Sequence, residues 1–220
     1  VGGADKFHFL GKDSSTARWS FDASSSFNGC SLSSDGSYSV GGNGNNKAYY
    51  FEDYGKLEWS YDTGDELTQV SISADGEYIA AVAEYSDKLF LFRKDSGTPL
   101  WTYDAGTSVY TTSISGNGEY IALGTHLGDF ILFDKDSNSP LWTYEGTHLF
   151  DNSAISADGE YIVATSDDNK VYLFDKDSST PLWSYSTGHT LRSVAISANG
   201  EYVVAGTGGN DDKVYLFGKD

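Results

Sequence analysis

The sequence predicts an all-β chain assembled from repeats of one antiparallel unit, and three observations carry that prediction. Tryptophan recurs at Trp19, Trp59, Trp101, Trp142 and Trp183, in steps of 40, 42, 41 and 41 residues. Tyrosine recurs on the same steps at Tyr38, Tyr78, Tyr120, Tyr161 and Tyr202. Each tyrosine ends a turn, in order "SDGSY", "ADGEY", "GNGEY", "ADGEY" and "ANGEY". Five coincidences of spacing and chemistry define a repeat protein, and no stretch shows helical periodicity.

The stretch from residue 140 to residue 185 shows why the unit folds as a sheet. "FDNSAIS" is small and lightly polar, as a strand lining a crowded axis must be. Asp158-Gly159 supplies the positive φ angles of a tight hairpin. "EYIVAT" is almost continuously apolar, so both of its faces must be covered, and "KVYLFDK" has the same character. "PLWSY" then places Trp183 and Tyr185 two residues apart, on one face of an outermost strand. A four-stranded sheet with two apolar faces cannot stand alone in water. Packed radially against its neighbours, it buries both faces and leaves only short edges. Four antiparallel strands in about 40–45 residues is the size of one propeller blade. The predicted fold is a β-propeller, with an open β-solenoid as the second choice.

The recurrent "PLW(S/T)Y(D/S)TG … SISADGEYIAA … KVYLFDKDS" resembles WD40-like and quinoprotein-like (PQQ-like) propeller repeats of prokaryotic or archaeal type, over essentially the whole chain. It departs from the eukaryotic WD40 pattern, since no Gly-His pair precedes each unit and no Trp-Asp dipeptide ends a strand. The resemblance implies that the tryptophan and the "TG" after it are structural pegs between blades. It implies little about function, because such repeats serve scaffolds, surface proteins, assembly factors and a minority of enzymes.

Strand counting predicts one domain over 1–220: blades at 26–62, 67–103, 108–144, 149–185 and 190–220, and residues 1–25 supplying strands of the closing blade. The most economical ring has five blades, latched by "ARWSFD" (17–22) pairing with "KVYLFGK" (213–219). One observation strains it. "KFHFLGK" (6–12) is a sixth copy of the third strand, and "VGG" at the start reads as the tail of a second strand. This extra strand could be displaced, could mark a cut from a larger propeller, or could cap the open blade of another subunit. The first residue is Val1 and methionine is absent, which reads as a processed or excised product.

One face of such a disc carries the loops between second and third strands and those leading into each inner strand. They hold Asp65, Glu66, Glu84, Asp87, His126, His148, Asp167, Asp168, His189, Asp211 and Asp212. Carboxylates and imidazoles around an axis could hold a divalent metal or a cationic ligand; polar loops that merely tolerate histidine are the plainer account. The opposite face carries "RKDSGT" (93–98), "DKDSNS" (134–139) and "DKDSST" (175–180). These read as Asx-type turns before proline rather than calcium loops, since they lack the glycine and terminal glutamate of an EF-hand.

No Gly-x-Ser-x-Gly elbow, phosphate loop or dinucleotide fingerprint is present, and "GGNGNN" (41–46) sits between two strands. The net charge of −18, spread along the chain, repels nucleic acid and anionic lipid. No apolar run reaches the 18 residues of a membrane-spanning helix. Single Cys30, within "NGCSLSS", excludes an internal disulfide and reads as a small buried residue. The sequence therefore predicts a non-catalytic scaffold presenting loops or an open blade edge for protein contact or self-association, with no cofactor, no nucleic-acid partner and no membrane insertion. A lectin-like binder of a small ligand, sugar or calcium comes second, and a quinoprotein-type enzyme third. Composition and resemblance together point to the cell surface or exterior.

Overall fold

The computed structural model describes residues 2–3, 5–53, 55–209 and 212–220. The described residues form six antiparallel sheets, each built from strands consecutive in the chain. The first holds β1 (Gly2–Gly3), β2 (Lys6–Leu10) and β3 (Ala17–Asp22). The second holds β4 (Phe27–Leu32), β5 (Tyr38–Asn43), β6 (Lys47–Glu52) and β7 (Lys56–Asp62). The third runs β8 (Leu67–Ile72), β9 (Tyr78–Ala83), β10 (Lys88–Arg93) and β11 (Ser96–Asp104). The fourth runs β12 (Val109–Ile114), β13 (Tyr120–Thr125), β14 (Asp129–Asp134) and β15 (Pro140–Glu145). The fifth runs β16 (Phe150–Ile155), β17 (Tyr161–Ser166), β18 (Lys170–Asp175) and β19 (Trp183–Ser186). The sixth has three strands, β20 (Leu191–Ile196), β21 (Tyr202–Thr207) and β22 (Val214–Gly218).

The near-continuous apolar runs take the positions their two-sided character requires. Ile79 to Ala83 in β9 and Leu89 to Phe92 in β10 are buried on both faces, as are their counterparts in β17 and β18. An apolar cluster fills each of the five junctions between consecutive sheets. Burying one such leucine or phenylalanine is worth about 1.5–3 kcal/mol, so the junctions hold the disc together.

Two pegs repeat at these junctions and explain the periodic tyrosine and tryptophan. The ring of Tyr120 lies under Gly159 of the next sheet, where an added Cβ would overlap it; Tyr38 under Gly76 and Tyr161 under Gly200 repeat the contact. The indole Nε1 of Trp59, Trp101, Trp142 and Trp183 donates to the carbonyl of Lys94, Lys135, Lys176 and Lys219 in the following sheet, at 2.7–3.0 Å. Each indole also packs on that sheet's third strand, as Trp142 does on Phe174 at 5.4 Å. The turns themselves are stitched across sheets: Ser34 N donates to Ala74 O, Ala74 N to Gly116 O and Ala157 N to Ala198 O, each at 2.9 Å.

The expected latch is not the pairing that forms. β3 pairs with β2, Phe7 opposite Phe21 and Phe9 opposite Trp19, while β22 is paired on its β21 side. Residues 17–22 thus complete a sheet of their own instead of closing a fifth blade. β2 and β3 are consecutive strands joined by the short loop 11–16 and pair as a local hairpin, as sequential strands usually do. Cys30 is also placed otherwise than expected: it is exposed, on a stretch of β4 that faces β2 across open space. An open groove of about 300 Å³ results, lined by Phe9, Leu10, Cys30 and Leu32 among others.

The polar turns on the opposite face behave as Asx turns. Asp134 and Asp175 each accept the backbone amide two residues on, at 2.8 and 2.9 Å.

Candidate functional site

In every one of the five inner strands, β4, β8, β12, β16 and β20, the pairing skips a residue near the strand's start. The skipped residues are Asn28, Thr68, Tyr110, Asp151 and Arg192, a β-bulge repeated at the same point of each unit. A buried residue immediately before each bulge pins it: Phe27, Leu67, Val109, Phe150 and Leu191. A bulge leaves its extra residue out of the ladder and re-aims the side chain. Here it meets the loops between second and third strands, so the bulges and these loops together form one surface.

The bulge residues differ in every repeat while the buried apolar residue before each of them recurs. Asn28 Nδ2 donates to Glu66 Oε1 at 2.8 Å and to Leu67 O at 3.0 Å, bridging two sheets. Beside it, Thr68 Oγ1 and Asp65 Oδ2 are buried without a hydrogen-bond partner among the described residues. The Tyr110 ring stacks on His126, with centroids 5.8 Å apart. Burial first, and then a hydrogen bond to Glu84, push its phenol above the usual value, with Tyr85 and Asp167 adding negative potential. Asp151 accepts from Thr165 Oγ1 at 3.0 Å. Its burial raises the carboxyl's pKa, against the hydrogen bonds from Thr165 and Asn152 and together with the charge of Asp167. The stem of Arg192 lies against Gly208, where an added Cβ would stand 2.7 Å from Arg192 Cγ.

The structure therefore gathers three of the sequence-predicted residues, Glu84, His126 and Asp167, around Tyr110. Most of the others serve local geometry. Glu66 is engaged by Asn28, and Asp65 Oδ1 accepts the Glu66 amide at 2.8 Å. Asp87 and Asp212 occupy turns at φ 59° and 43°. Exposed His148 pairs Nδ1 with Thr147 Oγ1 at 2.8 Å. The carbonyl of exposed His189 accepts from Thr187 Oγ1 at 2.7 Å. Asp211 lies outside the described residues. Among the described residues, no three His, Cys, Asp or Glu side chains are grouped to hold a metal ion. The bulge residues themselves escaped the sequence reading. They follow the repeat spacing, but the next position (Gly29, Gln69, Thr111, Asn152 and Ser193) varies as widely, so nothing in the sequence singled out the bulge.

Asp168 and Asp151 titrate in opposite senses. Burial of Asp168 works to raise its pKa, but the Tyr172 hydroxyl at 2.5 Å and Lys170 Nζ at 2.9 Å outweigh it and hold the carboxyl below the ordinary range. Its contribution to stability is present above the unfolded carboxylate pKa and is lost as pH falls through the folded one. Asp151, with its folded pKa raised, binds its proton more tightly when folded, so stability falls as pH rises from the ordinary value through the raised one. At neutral pH, Asp168→Asn is expected to lower the thermal midpoint and Asp151→Asn to raise it. The Asp151→Asn gain should disappear in acid below the ordinary carboxylate pKa. Melting curves across pH check both signs, and a loss on Asp151→Asn at neutral pH would refute the assignment.

Two overlapping stretches, residues 1–185 and 88–217, match the sequence model of the PQQ-like family described as outer membrane protein assembly factor BamB. A search of curated proteins finds no match. Among solved structures, the β-propeller domain of Cps50 (Swd1) from Myceliophteria thermophila is similar with a TM-score of 0.81 and 15% identity, over 99% of this chain and 77% of that one. At that identity the likeness is one of fold.

Proposed function

The chain belongs to the PQQ-like repeat family described as outer membrane protein assembly factor BamB, and from that premise we propose that it is a non-catalytic scaffold whose bulge-and-loop face binds another protein. One observation carries the reading. Asn28, Thr68, Tyr110, Asp151 and Arg192 occupy one equivalent position in five units and share no chemistry, whereas the pegs of the same units are nearly identical. A frame that repeats needs nothing particular at this point; a surface that recognises something does. Asp151 adds to this, since a carboxylate kept charged against burial is retained at a cost to folding. The surface combines an aromatic ring, an arginine and carboxylates, a composition suited to protein contact.

The test uses the intact chain and a variant carrying Tyr110→Ala, Asp151→Lys and Arg192→Glu as matched baits, with circular dichroism confirming that both fold. Proteins retained by the intact chain and lost by the variant support the reading; identical retention by both refutes it. The Tyr110 ring stacked on His126, with Glu84 hydrogen-bonded to its phenol, favours a small-ligand site as the second reading. Titration calorimetry with mono- and disaccharides separates the two, because saturable heat abolished by Tyr110→Ala would move the assignment to that class.

A further inference from the structure

The three prolines of the chain share one position. Pro99, Pro140 and Pro181 each stand two residues before the tryptophan of an outermost strand. In the fifth sheet the next amide, Leu182 N, donates inward to Leu173 O at 2.8 Å, so the nitrogen of Pro181 faces outward. Proline there removes a donor from the open edge, a guard against unwanted strand pairing. The outermost strand of the second sheet, β7, has Leu57 at this position instead. β3 also lacks the proline, with Ala17, but the turn that follows it closes on its Trp19 at Gly55.

A second guard is missing from β7. In the third sheet, Asn138 Nδ2 of the following turn caps the outward Thr102 carbonyl at 3.1 Å. Ser60 of β7 holds the register of Thr102, standing opposite Tyr49 as Thr102 stands opposite Phe90. In the place of Asn138 is Gly97, whose added Cβ would lie 3.6 Å from Ser60 O and which has no side chain to donate. Among the described residues β7 ends its sheet, and the Ser60 carbonyl is left without a partner.

Beside this edge lies a pocket of about 310 Å³, lined by Tyr50, Glu52, Glu58, Trp59, Asp95 and Gly97 among others. Tyr50 and Trp59 stack at 5.2 Å and form one wall. Glu58, the bulged residue of β7, stands where the later sheets carry the exposed Leu100, Leu141 and Leu182. The bases nearby are already engaged. Lys56 pairs with Glu58 at 2.5 Å, Lys94 with Glu77, and Arg93 with Glu77 at 3.5 Å and Asp95 at 3.7 Å. Glu52 has no ion pair among the described residues, so the pocket keeps a negative balance. With an aromatic wall, that balance suits a cationic side chain.

We infer that β7 accepts an extended segment of another protein as a fifth strand, with a lysine or arginine of that segment seated in the pocket. Main-chain bonds to the edge hold such a segment, and the pocket selects it. Alternate side chains of an added strand fall on the Trp59 face, where the pocket opens. The site lies on the rim of the disc, at the end opposite the bulge-and-loop face, and gives the scaffold a second, separate contact.

The test pans a display library of short random peptides on the intact chain and measures the enriched peptides by fluorescence anisotropy. Leu57→Pro installs the residue that three sister strands carry, so it should fold; Gly97→Asn, which restores the cap, is the second variant. Circular dichroism checks both. The expected peptides carry a basic residue at a fixed position, and either variant weakens them about tenfold or more, the worth of one or two hydrogen bonds. Glu52→Gln combined with Glu58→Gln should weaken them about as much. Methylating alternate peptide amides should abolish binding, and methylating the intervening ones should not.

Failure to enrich any peptide overturns the inference, as does equal affinity for the intact chain and both variants. Enriched peptides without a basic residue overturn it as well. Peptides lost on combining Tyr110→Ala, Asp151→Lys and Arg192→Glu, yet retained by Leu57→Pro, belong to the bulge-and-loop face. That result overturns the β7 site while supporting the other.

Discussion

Trp142→Ala should lower the unfolding free energy by about 3–5 kcal/mol, the range for emptying a large aromatic site. The indole fills the junction between the fourth and fifth sheets, against Phe130 at 6.3 Å and Phe174 at 5.4 Å. Its Nε1 also satisfies the Lys176 carbonyl at 2.8 Å. A milder exchange separates the two contributions. Trp142→Phe keeps most of the apolar area and leaves the carbonyl without its donor, a loss of about 1 kcal/mol. Trp19→Phe should cost less, because Trp19 Nε1 is buried with no hydrogen-bond partner among the described residues and so surrenders none. Urea melts of the four proteins check the order. Equal losses for the two Trp→Phe variants would remove the indole hydrogen bond from the account of the junction.

Gly159→Ala is the second large effect expected, about 3 kcal/mol, and it probes the other peg. Gly159 sits at φ 81°, where an L-residue costs roughly 1–2 kcal/mol. The new Cβ would also drive into the Tyr120 ring, and overpacking of that kind typically adds about 1–3 kcal/mol. Gly188 is the control. It has φ 74° with nothing within 4 Å of an added Cβ, so Gly188→Ala should cost the backbone term alone, about 1–2 kcal/mol. If the two alanines destabilise equally, the close approach of Tyr120 contributes nothing and the periodic tyrosine needs another explanation.

These experiments bear on parts of the molecule that were legible to different degrees. The glycine, tyrosine and tryptophan pegs were visible because successive junctions solve one packing problem with the same residues, the glycine–tyrosine contact at four of them, and such a repeated solution stands out at fixed spacing. Glu84, His126 and Asp167 could be placed on one face from strand order alone. That they gather on Tyr110 could not, since Tyr110 reaches the face only through a bulge, and one extra residue in a ladder leaves no mark in strand-like text. Cys30 read as buried from its neighbours on β4, yet its exposure depends on the groove between β4 and β2, a tertiary feature.

The sequence by itself determined the unit: its four strands, its turns, the two-sided burial of its second and third strands and the pegs that join one unit to the next. All of these are local or nearest-neighbour properties, set by side-chain period, turn chemistry and a contact repeated at each step. Only the tertiary structure decided which strand β3 joins, which loops converge, and that the sixth sheet leaves Val204, Val214 and Leu216 open among the described residues. Those outcomes depend on which sheets and loops are packed beside each unit, and nothing within a 41-residue repeat records that.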